Sequence, residues 1–206
     1  KDEEATRAMR IIADHFRTAI MLIGDINGIT PSNVGAGYVL RRLMRRAIRF
    51  ARKIGVNTEN LLSIVKEYIE NVYGIAYPNL LEKEQYILNE VQKEIEKFNK
   101  TIEAGTKEFE KVVNGIYRKN QFMKMTNPEY IEETEISGKS AFKLFDTFGF
   151  PLEITQEMAS EIGLTVDEEG FNQAYKEHQE LARTTSAGIF KGGLEDDSIE
   201  CTRYHT

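Results

Sequence analysis

The sequence has one cysteine, Cys201, no tryptophan and four prolines in 206 residues. A single thiol excludes an internal disulfide framework and suits a reducing compartment. There is no Cys-x-x-Cys pair. No apolar run is long enough to span a membrane, and no basic-then-apolar leader is present. The cytoplasm is the expected location. His15 and His178 have no neighbouring Cys or second His at metal-ligand spacing, so a structural role is expected for both. No Ser or Thr sits in a nucleophile elbow. The chain runs from Lys1 to Thr206 and is expected to be a piece of a longer protein.

What is present is charge, unevenly placed. The formal net charge is −6. Residues 1–53 hold 11 Lys+Arg against 5 Asp+Glu, a net of +6, and the remainder holds 16 against 28, a net of −12. A basic zone in an acidic chain points either to an anionic partner or to an acidic face of the same protein. Hydrophobic residues make up 41% of the chain, enough for a packed core.

Apolar periodicity predicts an all-α fold with one long helix and a minor β element at most. The first helix covers about Asp2 to Ile23, and a turn-rich stretch to Asn33 follows. Gly37 to Ile54 is a second helix and Leu61 to Tyr73 a third. From about Asn79 to Val113, Leu88, Val91, Ile95, Phe98, Ile102, Phe109 and Val112 form a heptad stripe, with Gly105 in the missing place. That stripe predicts a long helix covered by the same chain or by a partner. Asn114 to Glu135 reads as irregular, with short strands at 130–132 and 134–136. Helices follow at Gly138–Phe145, Glu153–Ile162 and Glu168–Arg183, the first capped by Ser137 and the last by Asp167. A helical domain over 1–185 then gives way, at 186–206, to a linker and the start of a separate unit, with linker composition across 184–188.

The second helix carries the strongest chemical signal. At 100° per residue, Arg41, Arg52, Arg45, Arg49, Arg42, Lys53 and Arg46 fall on one arc that no apolar residue interrupts. Like charges at i,i+4 repel, so something must offset them. Phosphates would do so, because the guanidinium fork donates two parallel hydrogen bonds. Glutamates of the long helix would do so as well. A membrane surface is a third reading, disfavoured by the absence of Trp and the presence of Ala on the apolar face.

Four stretches narrow the choice. Thr30-Pro31-Ser32-Asn33 to Arg41-Arg42 with Arg45-Arg46-Ala47, Leu144-Phe145-Asp146-Thr147-Phe148-Gly149-Phe150-Pro151, Ile12-Ala13-Asp14-His15-Phe16-Arg17, and Gly163 to Phe171 resemble signatures of alanyl-tRNA synthetases, in the order found in that family. The layout resembles the bacterial type. The resemblance implies the middle, tRNA-holding region of a class II synthetase that joins alanine to tRNA(Ala) with ATP, Mg and Zn in the parent enzyme. The class II catalytic motifs and a glycine-rich phosphate loop are absent here. This chain alone is therefore expected to need no cofactor, to be inactive in aminoacylation and to be monomeric. The resemblance makes Asn33 and Asp146 the readers of a G·U wobble pair in the acceptor stem, approached from the wide minor groove. It makes Arg41, Arg42, Arg45, Arg46, Arg49, Arg52 and Lys53 the backbone clamp. Residues 191–206 resemble the entrance to an editing domain, where His205 would be the first ligand of a zinc site completed beyond this chain. The sequence departs from the family pattern at Val34 and Ala36, where an acidic residue and an Arg are common. On local chemistry alone, Asn33 and Asp146 also suit turn-capping roles. The competing reading is a helical protein-interaction module that uses the long helix.

Overall fold

The computed structural model describes residues 2–191, with side chains described through Leu181. Its elements are α1 (Glu3–Gly24), α2 (Gly35–Lys53), α3 (Thr58–Glu67) continued by a π-helical turn (Tyr68–Tyr73), α4 (Pro78–Glu82), α5 (Glu84–Thr126), β1 (Glu135–Ile136), α6 (Gly138–Phe148), α7 (Leu152–Glu161), β2 (Thr165–Val166) and α8 (Glu168–Lys191). The all-α expectation holds, with a single two-stranded parallel pair among the described residues. The 184–188 stretch, expected to be a linker, is helical and belongs to α8.

α1 starts at a capping aspartate, Asp2, whose carboxylate accepts from the Glu4 amide at 3.0 Å. Its buried Ala8, Ile12, Phe16, Ala19, Ile20 and Ile23 recur every three or four residues. They meet Leu40, Met44, Ala47, Ile48 and Ala51 of α2 in one hydrophobic core. The apolar arc of the arginine helix is therefore a core face, as expected.

α5 is longer than the stripe predicted. It has 43 residues, roughly 65 Å at 1.5 Å per residue. The apolar ladder continues past Val113 to Ile116, both buried. Beyond them, buried Asn120 replaces the hydrophobic contact with hydrogen bonds. Its amide donates to the Glu133 carbonyl at 2.8 Å and accepts from the Glu133 N–H at 2.9 Å. That tie returns the chain along the helix and makes the expected irregular segment shorter, beginning after Thr126. Of the two strands expected there, only 135–136 forms. The stripe itself is covered within the chain, in keeping with the intramolecular reading: Val91, Ile95, Phe98, Ile102 and Phe109 lie in the same core as α1 and α2.

The parallel pair sets the geometry of the far side. Glu135 pairs with Thr165 and Ile136 with Val166. Each strand feeds a helix, so α6 and α8 start side by side. Ser137 caps α6 through the Ser140 amide at 3.3 Å. Asp167 caps α8 through the Gly170 amide at 2.8 Å and also accepts from the Gly138 amide at 3.3 Å. Gly138 makes this approach possible, because a Cβ there would press into the backbone of Gly170 and Phe171. Among the described residues, no helix is long and apolar enough to cross a membrane.

Two helical glycines, one crowded and one open, give a paired test. Gly138→Ala should lower stability by about 1–3 kcal/mol, the usual cost of overpacking. Gly115→Ala, which meets nothing within 4 Å, should raise it by about 0.5–1 kcal/mol through helix propensity. Urea denaturation measures both, and equal effects would contradict the α6–α8 backbone contact.

Candidate nucleic-acid interface

Asn33 and Asp146 are 113 positions apart in sequence, yet they line the same cavity of about 390 Å³. Two local structures bring this about. Asn33 lies in the turn before α2, where Ser32 makes the local bonds: its hydroxyl donates to the Val34 carbonyl at 2.9 Å and its amide donates to the Gly37 carbonyl at 3.0 Å. The Asn33 side chain is exposed, and its Oδ1 accepts from Nη1 of Arg41, one helical stretch away. Val34 and Ala36 are both exposed in this turn.

Asp146 lies in the last turn of α6, two residues inside its end. Gly149 closes that helix in the left-handed conformation at φ 69°. The Phe150 amide returns to the Leu144 carbonyl at 3.0 Å, and Phe150 is then buried edge-on against Phe98, 5.7 Å between ring centroids. The helix carrying Asp146 is thus fastened to α5 just after its end.

Arg41 and Arg45 of the expected clamp also line the cavity, and Lys97 and Tyr175 are wall residues that no sequence signal marked. Tyr38, Phe145 and Tyr175 line it, with Lys97 and His178. The His178 Nε2 lies 3.8 Å from the Asp146 carboxylate, an ion pair only when His178 is protonated. Phe142, Phe145, Phe171 and Tyr175 form a run of edge and stacked contacts between α6 and α8. Burial, with Glu153 alongside, pushes the Tyr38 phenol up to about 12, which keeps it a neutral donor near pH 7.

The arginine arc is engaged by carboxylates of its own chain. Arg45 donates through Nε to Glu94 at 2.6 Å. Arg42 pairs with Glu153. Arg46 pairs with Glu157 at 2.8 Å, and Arg49 bridges Glu157 at 3.2 Å and Glu161 at 2.8 Å. Arg52 reaches Glu103 at 2.8 Å, and Lys53 reaches Glu4 at 2.5 Å and Glu161 at 3.3 Å. Two of the acids, Glu94 and Glu103, lie on the long helix as one sequence reading allowed. The others lie mainly on α7, where Glu153, Glu157 and Glu161 recur every four residues. That spacing was readable in the sequence and puts three acids on one helix face. For Glu161, burial opposes ionisation, but the Arg49 and Lys53 bonds outweigh it and hold its pKa below the usual value.

The arc divides by exposure. The side chains of Arg41, Arg45 and Arg49 are 17%, 9% and 12% exposed. Those of Arg42, Arg46, Arg52 and Lys53 are 33–39% exposed. The first three form part of the packed structure. The other four keep a solvent-facing side that can take a second anion.

No group of three or more His, Cys, Asp or Glu arranged for a metal occurs among the described residues. His205 and the incomplete zinc site expected around it lie outside them.

A family model described as tRNA synthetases class II (A) matches residues 1–202. An alanine–tRNA ligase of Treponema denticola is 46% identical over 205 residues, which is 100% of this chain and 32% of that protein. One from Borreliella afzelii is 41% identical over 204 residues, 99% of this chain and 32% of the relative. One from Caldicellulosiruptor saccharolyticus is 38% identical over 199 residues, 97% of this chain and 21% of the relative. The chain spans about a third of the length of the first two relatives.

His15, in one of the four signature stretches, faces Arg46 from α1, with Nε2 and Nη1 3.2 Å apart. Burial, and then the Arg46 charge, lower its pKa below 6.5. A lowered histidine binds fewer protons folded than unfolded, so its contribution to stability is complete above pH 6.5 and is lost as pH falls from there through its lower folded value. An NMR titration should find the His15 midpoint below 6.5, and His15→Gln should flatten stability against pH in that range. A midpoint at or above 6.5 would contradict the Arg46 contact.

Proposed function

The chain belongs to the class II tRNA synthetases of the alanine type, and from that membership we propose that it is the acceptor-stem-reading region of an enzyme that joins alanine to tRNA(Ala). The parent enzyme would use ATP and Mg for this reaction, and would carry zinc in its editing region. The observation behind the proposal is the convergence of Asn33 and Asp146 on one cavity. They are the two positions that the resemblance to the family marks as base readers, and they come from separate signature stretches.

The chemistry of the cavity suits a G·U wobble pair. The guanine 2-amino group has a free proton in such a pair, and the Asp146 carboxylate can accept it. Asn33 can donate through its amide N–H to a uracil or sugar oxygen. The minor groove of A-form RNA is wide and shallow enough for both side chains to reach base edges. Tyr38 offers a neutral donor in the same wall. Phosphate contacts hold and orient a duplex but do not choose its sequence. In this reading they come from the exposed cations Arg42, Arg46, Arg52 and Lys53. The inner Arg41, Arg45 and Arg49, of which Arg45 is buried, act through protein contacts instead.

The rival, a protein-interaction module built on the heptad stripe, has less support because that stripe is covered by α1 and α2.

Binding of acceptor-stem hairpins separates the readings. A G·U hairpin should bind more tightly than its G·C counterpart. Asn33→Ala or Asp146→Ala should each shrink that preference by about tenfold, the scale of one lost base contact. Log affinity should fall with log salt, and removing one exposed cation should reduce the slope by about 1. Equal binding of the two hairpins by the intact chain would overturn the proposal. ATP–pyrophosphate exchange should be absent for residues 1–206 alone, and its presence would show that alanine activation resides in this region.

A further inference from the structure

We propose that Glu94 is a positioning residue for base-pair choice, setting Asn33 through Arg41 and Asp146 through Arg45; the inference rests on the reading of those two residues above. Glu94 stands in the apolar ladder of α5 between Val91 and Phe98, and is 2% exposed. A carboxylate there must be charge-paired to be tolerated. Its Oε1 takes the Arg45 Nε at 2.6 Å, and the Arg41 Nε lies 3.6 Å from the same oxygen. One carboxylate oxygen therefore anchors two guanidinium groups one helical turn apart on α2.

Each guanidinium then reaches toward one reader. Arg41 donates to Asn33 Oδ1. That bond fixes the amide orientation: the oxygen faces Arg41, and the two N–H donors are left for the ligand. Asn33 is thereby made a donor, suited to an acceptor on the RNA. Arg41 Nε has no hydrogen-bond partner of its own, so its link to Glu94 is charge attraction across 3.6 Å, while Nη1 bonds Asn33. Burial lowers the Arg41 pKa and Glu94 opposes that effect.

Arg45 acts on the other side. It lies over the Phe98 ring at 5.0 Å and donates through Nη1 to the Gly149 carbonyl. Gly149 is the left-handed cap of α6, three residues after Asp146. A Cβ on Gly149 would collide with that same Arg45 nitrogen. The end of the helix bearing Asp146 is therefore indexed to the carboxylate that indexes Asn33. The spacing between the two readers depends on one buried group that itself touches no RNA.

The test uses the full-length synthetase and the G·U and G·C acceptor-stem hairpins, with the ratio of the two affinities as readout. Arg41→Met keeps the apolar stem and removes the bond to Asn33. Its ratio should fall by about tenfold, on the scale of one base contact. The double variant Arg41→Met/Asn33→Ala should discriminate no worse than Asn33→Ala alone, because Arg41 acts through Asn33. Glu94→Gln, which keeps the shape and loses the charge, should reduce the ratio as well, with circular dichroism melting to check that it folds. Multiplying losses in the double variant, or an unchanged ratio in Arg41→Met or in folded Glu94→Gln, would overturn the positioning role while leaving the readers in place. An unchanged ratio in Asn33→Ala would overturn the reading beneath it.

Discussion

The structure depends on a buried carboxylate that must not lose its charge partners. Glu94 occupies a place in the α5 ladder among Val91, Ile95 and Phe98, where the neighbouring inward positions are apolar. Removing one partner of a buried ion pair typically costs about 3–5 kcal/mol, because the other charge is left without water or a counterion. Arg45 is therefore tied through Nε to Glu94 and through Nη1 to the Gly149 carbonyl. Three elements distant in sequence, the basic helix, the long helix and the cap of α6, meet at that side chain.

The same complementarity extends outward along α2. Seven cations on one arc would repel one another in an isolated helix. α7 answers with Glu153, Glu157 and Glu161 at helical spacing, and α5 answers with Glu94 and Glu103. The pairs nearer the surface are each of small value, since water and salt screen them. Their collective effect is to fix how α7 and α5 lie on α2. The helix that looks from its sequence like a phosphate strip thus has two layers: inner arginines that join the protein together, and outer cations that keep a solvent-facing side.

Much of this was legible in the sequence, and the misses have physical causes. Apolar period, with cap and turn residues at the ends, located α1, α2, α6 and α7 to within a few residues, because each buries one clean face. It stopped α5 too early because Asn120 continues the buried ladder with a polar side chain, which a hydrophobic pattern does not register. The stretch at 184–188 looked like a linker because Thr, Ser and Gly have weak helix preference, yet α8 runs through it. Asn33 and Asp146 were found by resemblance to a family, and no local pattern would have joined them. Their meeting depends on the Phe150–Phe98 packing and the Arg45–Gly149 bond, which fasten the end of α6 to α5 and α2 and are long-range. Glu94 was invisible as a site because a single acid in a glutamate-rich helix carries no signal until its burial is known.

The central claim is that the inner arginines hold the readers in place and leave phosphate contact to the outer cations. A crystal structure of the full-length synthetase with a G·U acceptor-stem duplex tests it most directly. The arrangement predicts Arg45 still bonded to Glu94 and to the Gly149 carbonyl, Arg41 still on Asn33, and both Asn33 and Asp146 touching the wobble pair. Arg41 and Arg45 swung out onto phosphates, with Glu94 left behind, would contradict it.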